Sequence, residues 1–228
     1  MDASTSGPAL PEELRPVAER LFGERLPLVE QFAHRLATGG VVRGLIGPRE
    51  VERLWERQLI NCALLVDALP EGVRTLADVG SGAGLPGVVL AIARPDLEIT
   101  LIETMQRRVS WLEEIDQQMQ LGLEVVRSRA EEMPSDRQFD VVTARAVAAL
   151  DKLARWTLPL VREGGHLVAM KGSSAAQEIE AAHRTLTKLH GEDPHVSVHG
   201  VGDVEVPTTV VTVRAGARPT TRGARRGR

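Results

Sequence analysis

Tyrosine is absent from this 228-residue chain, and cysteine occurs once, as Cys62. A single thiol excludes an internal disulfide and a cysteine-built metal cluster, and it fits a reducing compartment. Aromatic residues make up 3% of the chain, so few side chains are available for stacking on splayed nucleobases. No apolar run approaches the roughly 20 residues of a membrane span. Met1 to Pro11 lacks the basic and apolar regions of a signal peptide. The expectation is a cytoplasmic protein with no membrane partner and no metal.

What is present is ordinary globular composition. Apolar residues at 43% and charged residues at 26% allow enough burial to offset the ordering entropy, which excludes wholesale disorder. The length suits one large α/β domain with an added terminal element, and a monomer is expected. The net charge of -3 is uneven, because Arg214, Arg218, Arg222, Arg225, Arg226 and Arg228 follow the last acidic residue. Without these six, 22 basic residues face 31 acidic ones, leaving a body of -9. Such a body is not drawn to a polyanion by its overall field, so contact with nucleic acid requires a local basic patch, the tail, or both.

Residues 1–10 are small and polar and are expected to be disordered, as is the Gly/Arg-rich tail 215–228. Over 11–70 apolar residues recur at helical spacing: Leu14, Val17, Leu21, then Leu28, Phe32, Leu36, then Val51, Leu54, Leu59, Leu65, Leu69. Turn signals at Gly39-Gly40 and Gly47-Pro48 divide this helical extension. Over 71–214 short apolar runs alternate with helical stretches, the pattern of βαβ units and a parallel sheet. Strands are expected at 75–79, 98–102, 123–127, 139–143 and 165–170, helices at 86–93, 105–120, 150–161 and 174–189, and a short turn at 131–136. Two further β-like runs, 194–201 and 208–214, follow without a helix between them and should form an antiparallel hairpin. Five β/α units closed by a hairpin suggest the methyltransferase variant of the doubly wound sheet; a dehydrogenase more often continues its parallel sheet.

Asp78-Val79-Gly80-Ser81-Gly82-Ala83-Gly84-Leu85-Pro86-Gly87 runs from a buried strand through glycines into a helix start. In an open α/β sheet, ligands bind beyond the carboxyl end of such a strand. Glycines let the backbone approach a ligand closely, and Pro86 suits a helix start. Gly82-x-Gly84-x-x-Gly87 matches the dinucleotide fingerprint, but its register does not: Gly80 already stands directly after the strand, and Leu85 occupies the place of the third glycine. Asp78 at the strand end suits a cationic ligand group better than a pyrophosphate. Glu103, ending the second strand, can accept from both ribose hydroxyls of an adenosine, which NAD and S-adenosylmethionine share.

Together with Trp55-Glu56-Arg57-Gln58-Leu59-Ile60-Asn61, Arg129-Ala130-Glu131-Glu132, Thr143-Ala144-Arg145-Ala146 and Met170-Lys171-Gly172, these residues resemble the bacterial ribosomal RNA small subunit methyltransferase G family, also called glucose-inhibited division protein B. The resemblance spans roughly residues 14–213. It implies a class I S-adenosylmethionine-dependent methyltransferase fold, Rossmann-like, with an antiparallel last strand and an N-terminal helical extension. It implies methylation of N7 of a guanine, usually numbered 527, in the 530 loop of 16S ribosomal RNA, with that RNA or the small ribosomal subunit as partner. Carried over position by position, its cofactor contacts fall on Gly80, Leu85, Ala130, Glu131 and Arg145, beside the Asp78, Gly82, Gly84 and Glu103 already singled out. The chain departs from the family pattern at Gln58, where related chains usually have His, and at Cys62, where they usually have Ser. Gln58 can replace a hydrogen bond but not a positive charge.

Guanine N7 carries an exposed lone pair and no proton, so its methylation is a direct in-line displacement that needs alignment and no general base. Methylation of pyrimidine C5 generally needs a cysteine nucleophile, and Cys62 is expected far from the site, in the helical extension. Exocyclic-amine methylation usually shows an Asn-Pro-Pro-Tyr motif where Thr143-Ala144-Arg145-Ala146 stands. Arg145 is the side chain expected to act, by holding the cofactor carboxylate or donating to guanine O6, but never to N7. Arg57, Arg107, Arg108, Arg129 and Lys171 are candidate RNA contacts, and Trp55, Trp111 and Trp156 are expected in the core. The alternatives are a methyltransferase of another small molecule or protein, an NAD oxidoreductase, and a non-enzymatic RNA-binding factor with the same fold.

Overall fold

A computed structural model describes residues 7–218. Its centre is a seven-stranded sheet of β1 (Thr75–Val79), β2 (Glu98–Glu103), β3 (Glu124–Arg127), β4 (Phe139–Arg145), β5 (Val161–Lys171), β6 (Gly191–His199) and β7 (Thr208–Ala215). The order is β3-β2-β1-β4-β5-β7-β6. The first five strands are parallel, and β7 runs antiparallel to both β5 and β6. The sheet is thus the expected one, with its last strand reversed. Central strands are apolar on both faces because both faces are covered: Leu76, Leu101, Val141 and Val168 point to one core, Ala77, Val79, Val142 and Leu167 to the other.

The second face is covered by α6 (Leu150–Thr157) and α7 (Ala175–Lys188). The first is covered by α4 (Gly87–Ala93), α5 (Gln106–Met119) and the helices that precede the sheet, α1 (Arg15–Phe22), α2 (Leu26–Arg35) and α3 (Asn61–Ala63). α4 is apolar all round, as befits a helix buried between neighbours. α3 is one turn in a succession of short helical turns from Pro48 to Ala68. The side chains of Phe32, Leu36, Leu59 and Leu64 share one continuous core with Leu76 and Leu101 of the sheet.

Several boundaries differ from the sequence reading. Gly39-Gly40 does not break the chain; it ends a π-helical turn, Leu36–Gly40, that continues helically to Val42. The helix expected over 150–161 stops at Thr157, and a 3-10 turn takes Leu158–Leu160, because Pro159 has no N–H for an α-helical bond. β5 accordingly starts at Val161 rather than 165. Gly7–Leu10 and Ala215–Arg218 are not loose ends. Leu10 is buried, Trp55 Nε1 donates to Pro8 O at 2.8 Å, and the Arg218 guanidinium donates to the carbonyls of Leu158 and Val161. The remaining terminal positions, 1–6 and 219–228 with most of the arginine tail, lie outside the described residues.

Candidate active site

Beyond the carboxyl ends of β1, β2 and β4 lies a cavity of about 570 Å³, within the usual range of small-molecule sites, about 300–1,000 Å³. Its lining brings together Gly80, Gly82, Leu85, Glu103, Ala130, Glu131 and Arg145, residues spread over 65 positions of sequence. Parallel strands gather them, because every β-to-α connection emerges on the same edge.

The glycine turn divides into two functions. Gly80 has φ 75°, and a Cβ there would stand 2.9 Å from Val147 Cγ2, so the backbone itself forms the cavity wall. Gly82 has φ 57°, and its amide donates to Glu103 Oε2 at 3.0 Å. Gly84 and Gly87 are absent from the lining: a Cβ on Gly84 would press on Val88 and Phe32, and one on Gly87 would meet Leu101 and Asp78. The fingerprint-like glycine spacing is therefore partly a packing motif, and Gly84 is withdrawn from the cavity set.

Asp78 is also corrected. It is fully buried, does not line the cavity, and accepts from the Gly87 amide at 3.0 Å through Oδ2, while Oδ1 has no partner. Strand alternation explains this, since Val79 faces the second core and Asp78 the first, under α4. Burial pushes its carboxyl up to about 7, against the pull of the Gly87 amide, the Ser81 side chain and the Arg145 charge.

Glu103, only 3% exposed, keeps its place at the cavity. Oε1 accepts from the amides of Thr104 at 2.7 Å and Met105 at 2.9 Å; Oε2 accepts from Gly82 and lies 3.5 Å from Arg108 Nη1. Burial opposes its charge, but the amides of Met105, Gly82 and Thr104, with Arg108, prevail and hold the carboxyl below its ordinary value. It is a fixed, ionised acceptor. Arg145 also lines the cavity, at the end of β4, and the next residue, Ala146, has φ 54°. That left-handed backbone, a strain of roughly 1–2 kcal/mol, accompanies the placement of Val147 over Gly80.

The candidate RNA contacts separate as well. Arg107 is exposed on the first turn of α5, Arg129 is exposed at the cavity rim, and Arg57 is half-buried away from it. Arg108 is turned inward to Glu103. Lys171 is corrected: its side chain is 7% exposed, and Nζ donates to Glu178 Oε2 at 2.8 Å and Ala148 O at 2.7 Å, so it holds the loop after Arg145 rather than reaching solvent. Cys62 is not remote, for its thiol feels the charges of Arg145 and Asp78; burial nevertheless pushes it up to about 11, and it does not line the cavity. Trp55 and Trp111 are in the core as expected, but Trp156 is half-buried and lines the cavity.

Sequence reasoning missed a whole wall. Leu45 and Ile46, from the bend that precedes Pro48, and Glu50, from the 3-10 turn Pro48–Arg53, close one side of the cavity. Nothing in local periodicity marks them, because their role depends on where the helices dock. Glu50 Oε1 accepts from Gln58 Nε2 at 2.9 Å, and Oε2 from the Gly47 amide at 2.5 Å.

These features suit a nucleoside bearing an amino-acid chain: a fixed carboxylate for hydroxyls, a glycine backbone wall that tolerates no side chain, and a guanidinium for a carboxylate. No group of three or more potential metal ligands occurs among the described residues, and no described helix is long and apolar enough to cross a membrane. The strand order, the reversed last strand and the glycine turn define the class I S-adenosylmethionine-dependent methyltransferase fold. The CurJ carbon methyltransferase shares that fold at 16% identity, with a TM-score of 0.53 over 90% of this chain and 71% of the other. So does an S-adenosylmethionine-dependent O-methyltransferase from Thermotoga maritima, at 14% identity and a TM-score of 0.50, over 75% of this chain and 71% of the other. Sequence narrows the class. The profile of rRNA small subunit methyltransferase G (GidB) matches residues 25–206. The ribosomal RNA small subunit methyltransferase G of Salinispora arenicola is 51% identical over 234 residues, covering 95% of this chain and 96% of its own. That of Pseudarthrobacter chlorophenolicus is 52% identical over 202 residues, covering 88% and 93%. The chain belongs to the rRNA small subunit methyltransferase G family.

Proposed function

We propose that this protein binds S-adenosylmethionine in the β1/β2/β4 cavity and methylates N7 of a guanine in small-subunit ribosomal RNA, the guanine numbered 527 in the 530 loop. The observation that carries the cofactor reading is the convergence of the Gly80 and Gly82 backbone, the Glu103 carboxylate and the Arg145 guanidinium on one cavity. When bound, the cofactor supplies an electrophilic methyl group on a sulfonium. Glu103, ionised and lining the cavity, accepts from the ribose hydroxyls in exchange for its contacts on Oε2 with the Gly82 amide and, at 3.5 Å, with Arg108. Ala130 and Glu131 flank the adenine, and Gly80 lets the chain pass close to the amino-acid moiety.

Guanine N7 needs no deprotonation, so the reaction asks no general base of the cavity lining. The protein's contribution is alignment, worth about 7–11 kcal/mol in well-oriented systems. Arg145 serves it by donating to the cofactor carboxylate or to guanine O6. Arg129, exposed at the cavity rim, and Arg107, exposed on the first turn of α5, offer charge to the RNA backbone. Incubation with methyl-labelled S-adenosylmethionine and small subunits from cells lacking the enzyme should place label in 7-methylguanosine. Label at another atom, or none, would refute the substrate assignment.

A further inference from the structure

Three carboxylates line the cavity, and they are not equivalent. Glu103 is engaged by five surrounding donors, and Glu131 sits beside Ala130 just beyond β3. Glu50 alone comes from the N-terminal helices, the wall that is independent of the sheet edge. Its carboxylate is held at both oxygens, by Gln58 at 2.9 Å and by the Gly47 amide at 2.5 Å, and Gln58 is in turn anchored in the core at 9% exposure. A carboxylate has about four acceptor sites, and the protein uses one on each oxygen. Each oxygen therefore retains acceptor capacity, on an exposed side chain that lines the cavity, and the two oxygens of a carboxylate match a pair of adjacent donors.

Guanine offers such a pair at N1–H and the 2-amino group, whereas adenine presents an acceptor at N1 and nothing at C2. N7 lies on the opposite edge of the purine, so a grip on N1 and N2 leaves the attacking lone pair free. We infer that Glu50 is a specificity-determining residue that accepts hydrogen bonds from N1–H and the 2-amino group of the target guanine, with Gln58 as its positioning residue. This rests on the guanine reading above. It also requires that the base be unpaired, since pairing would occupy those donors, and single-stranded loop bases are the ones proteins read on this edge. A site built around a donor pair rejects an analogue lacking one donor strongly, because its acceptors are left unpaired.

The test uses full-length protein and small subunits reconstituted with guanine or inosine at the target position; inosine keeps N1–H and lacks the 2-amino group. For the wild type, kcat/KM should fall roughly 10-fold or more from guanine to inosine. Glu50→Gln should lose ~10- to 100-fold on guanine and much less on inosine, because the lost partner is already missing there. Affinity for S-adenosylhomocysteine, by calorimetry, should stay within about twofold, and the melting temperature should fall by only a few degrees, since Gln gives up one of the two protein hydrogen bonds. Equal losses on guanine and inosine, or a loss of cofactor affinity in step with activity, would overturn the assignment. Wild-type protein that labels no guanine N7 at all would instead remove the guanine reading itself, and this inference with it.

Discussion

Asp78, next to last in β1, and Glu103, ending β2, are both buried, yet their acidities move in opposite directions. The difference is the number of donors: Glu103 has five around it, whereas Asp78 has the Gly87 amide on one oxygen and nothing on the other. Because Asp78 is raised to about 7, the native protein holds a proton that the unfolded chain releases near pH 4. Its contribution to stability is complete below about pH 4 and is lost as pH rises through about 7, on the order of 4 kcal/mol. His166, lowered chiefly by burial and then by Arg214, has the opposite slope, but it is common to wild type and variant. Urea unfolding from pH 4 to 8 should therefore show a steeper decline for wild type than for Asp78→Asn; parallel profiles would contradict the buried proton. The glycines should also part company. Gly82→Val forces a β-branched residue to φ 57° at the cavity wall and should weaken S-adenosylhomocysteine binding at least roughly tenfold. Gly84→Ala should lower the melting temperature first, because its Cβ meets Val88 rather than the cavity. Calorimetric titration beside thermal melting separates the two.

Between elements, a few side chains fix how strands and loops meet. Asp140, at the start of β4, accepts from the amides of Arg74 at 2.8 Å and Thr75 at 2.9 Å and pairs with Arg162 of β5. Burial opposes its charge, but Arg162 and the two amides outweigh that and hold the carboxyl at about 2. This stabilisation is present above about pH 4 and is lost as pH falls towards about 2. Asp140→Ala should cost about 3 kcal/mol, a fall in Tm of roughly 6–12 °C measurable by calorimetry at pH 7, without changing cofactor affinity. Lys171 works at the other end of the sheet. Burial opposes the charge on Glu178, yet Lys171 and the Leu150 amide hold its carboxyl below the ordinary range, and the same ammonium fastens Ala148 O. This clamp lies three residues from Arg145. Lys171→Met should slow methyl transfer roughly 10- to 100-fold by loosening that loop; unchanged steady-state kinetics would show the clamp to be irrelevant. From sequence the lysine at a strand end read as an RNA contact, since nothing nearby in the chain reveals that Glu178 folds back over it.

Taken whole, the molecule is built around a sheet whose first face is completed by helices formed before it in the chain. Those helices bury Phe32, Leu36 and Leu64 in the same core as Leu76 and Leu101, so they should not melt separately. The absence of tyrosine makes tryptophan fluorescence a clean reporter. Single-tryptophan variants retaining Trp55 in the N-terminal helices or Trp156 in α6 should give one common denaturation midpoint, and two distinct midpoints would mean two folding units. The alternation of β and α segments, the antiparallel closing pair, the glycine turn and the acid ending β2 were all legible in the amino-acid order. Each is a local matter of periodicity or of residues adjacent in the chain. Which glycines line the cavity, that Asp78 turns inward, that Lys171 is an internal clamp and that Glu50 walls the cavity were decided only by tertiary structure. Those outcomes depend on partners such as Gly82 with Glu103, or Ala148 with Lys171, 21 and 23 residues apart. No local pattern encodes such meetings; they follow from how helices and strands dock once their apolar faces are buried.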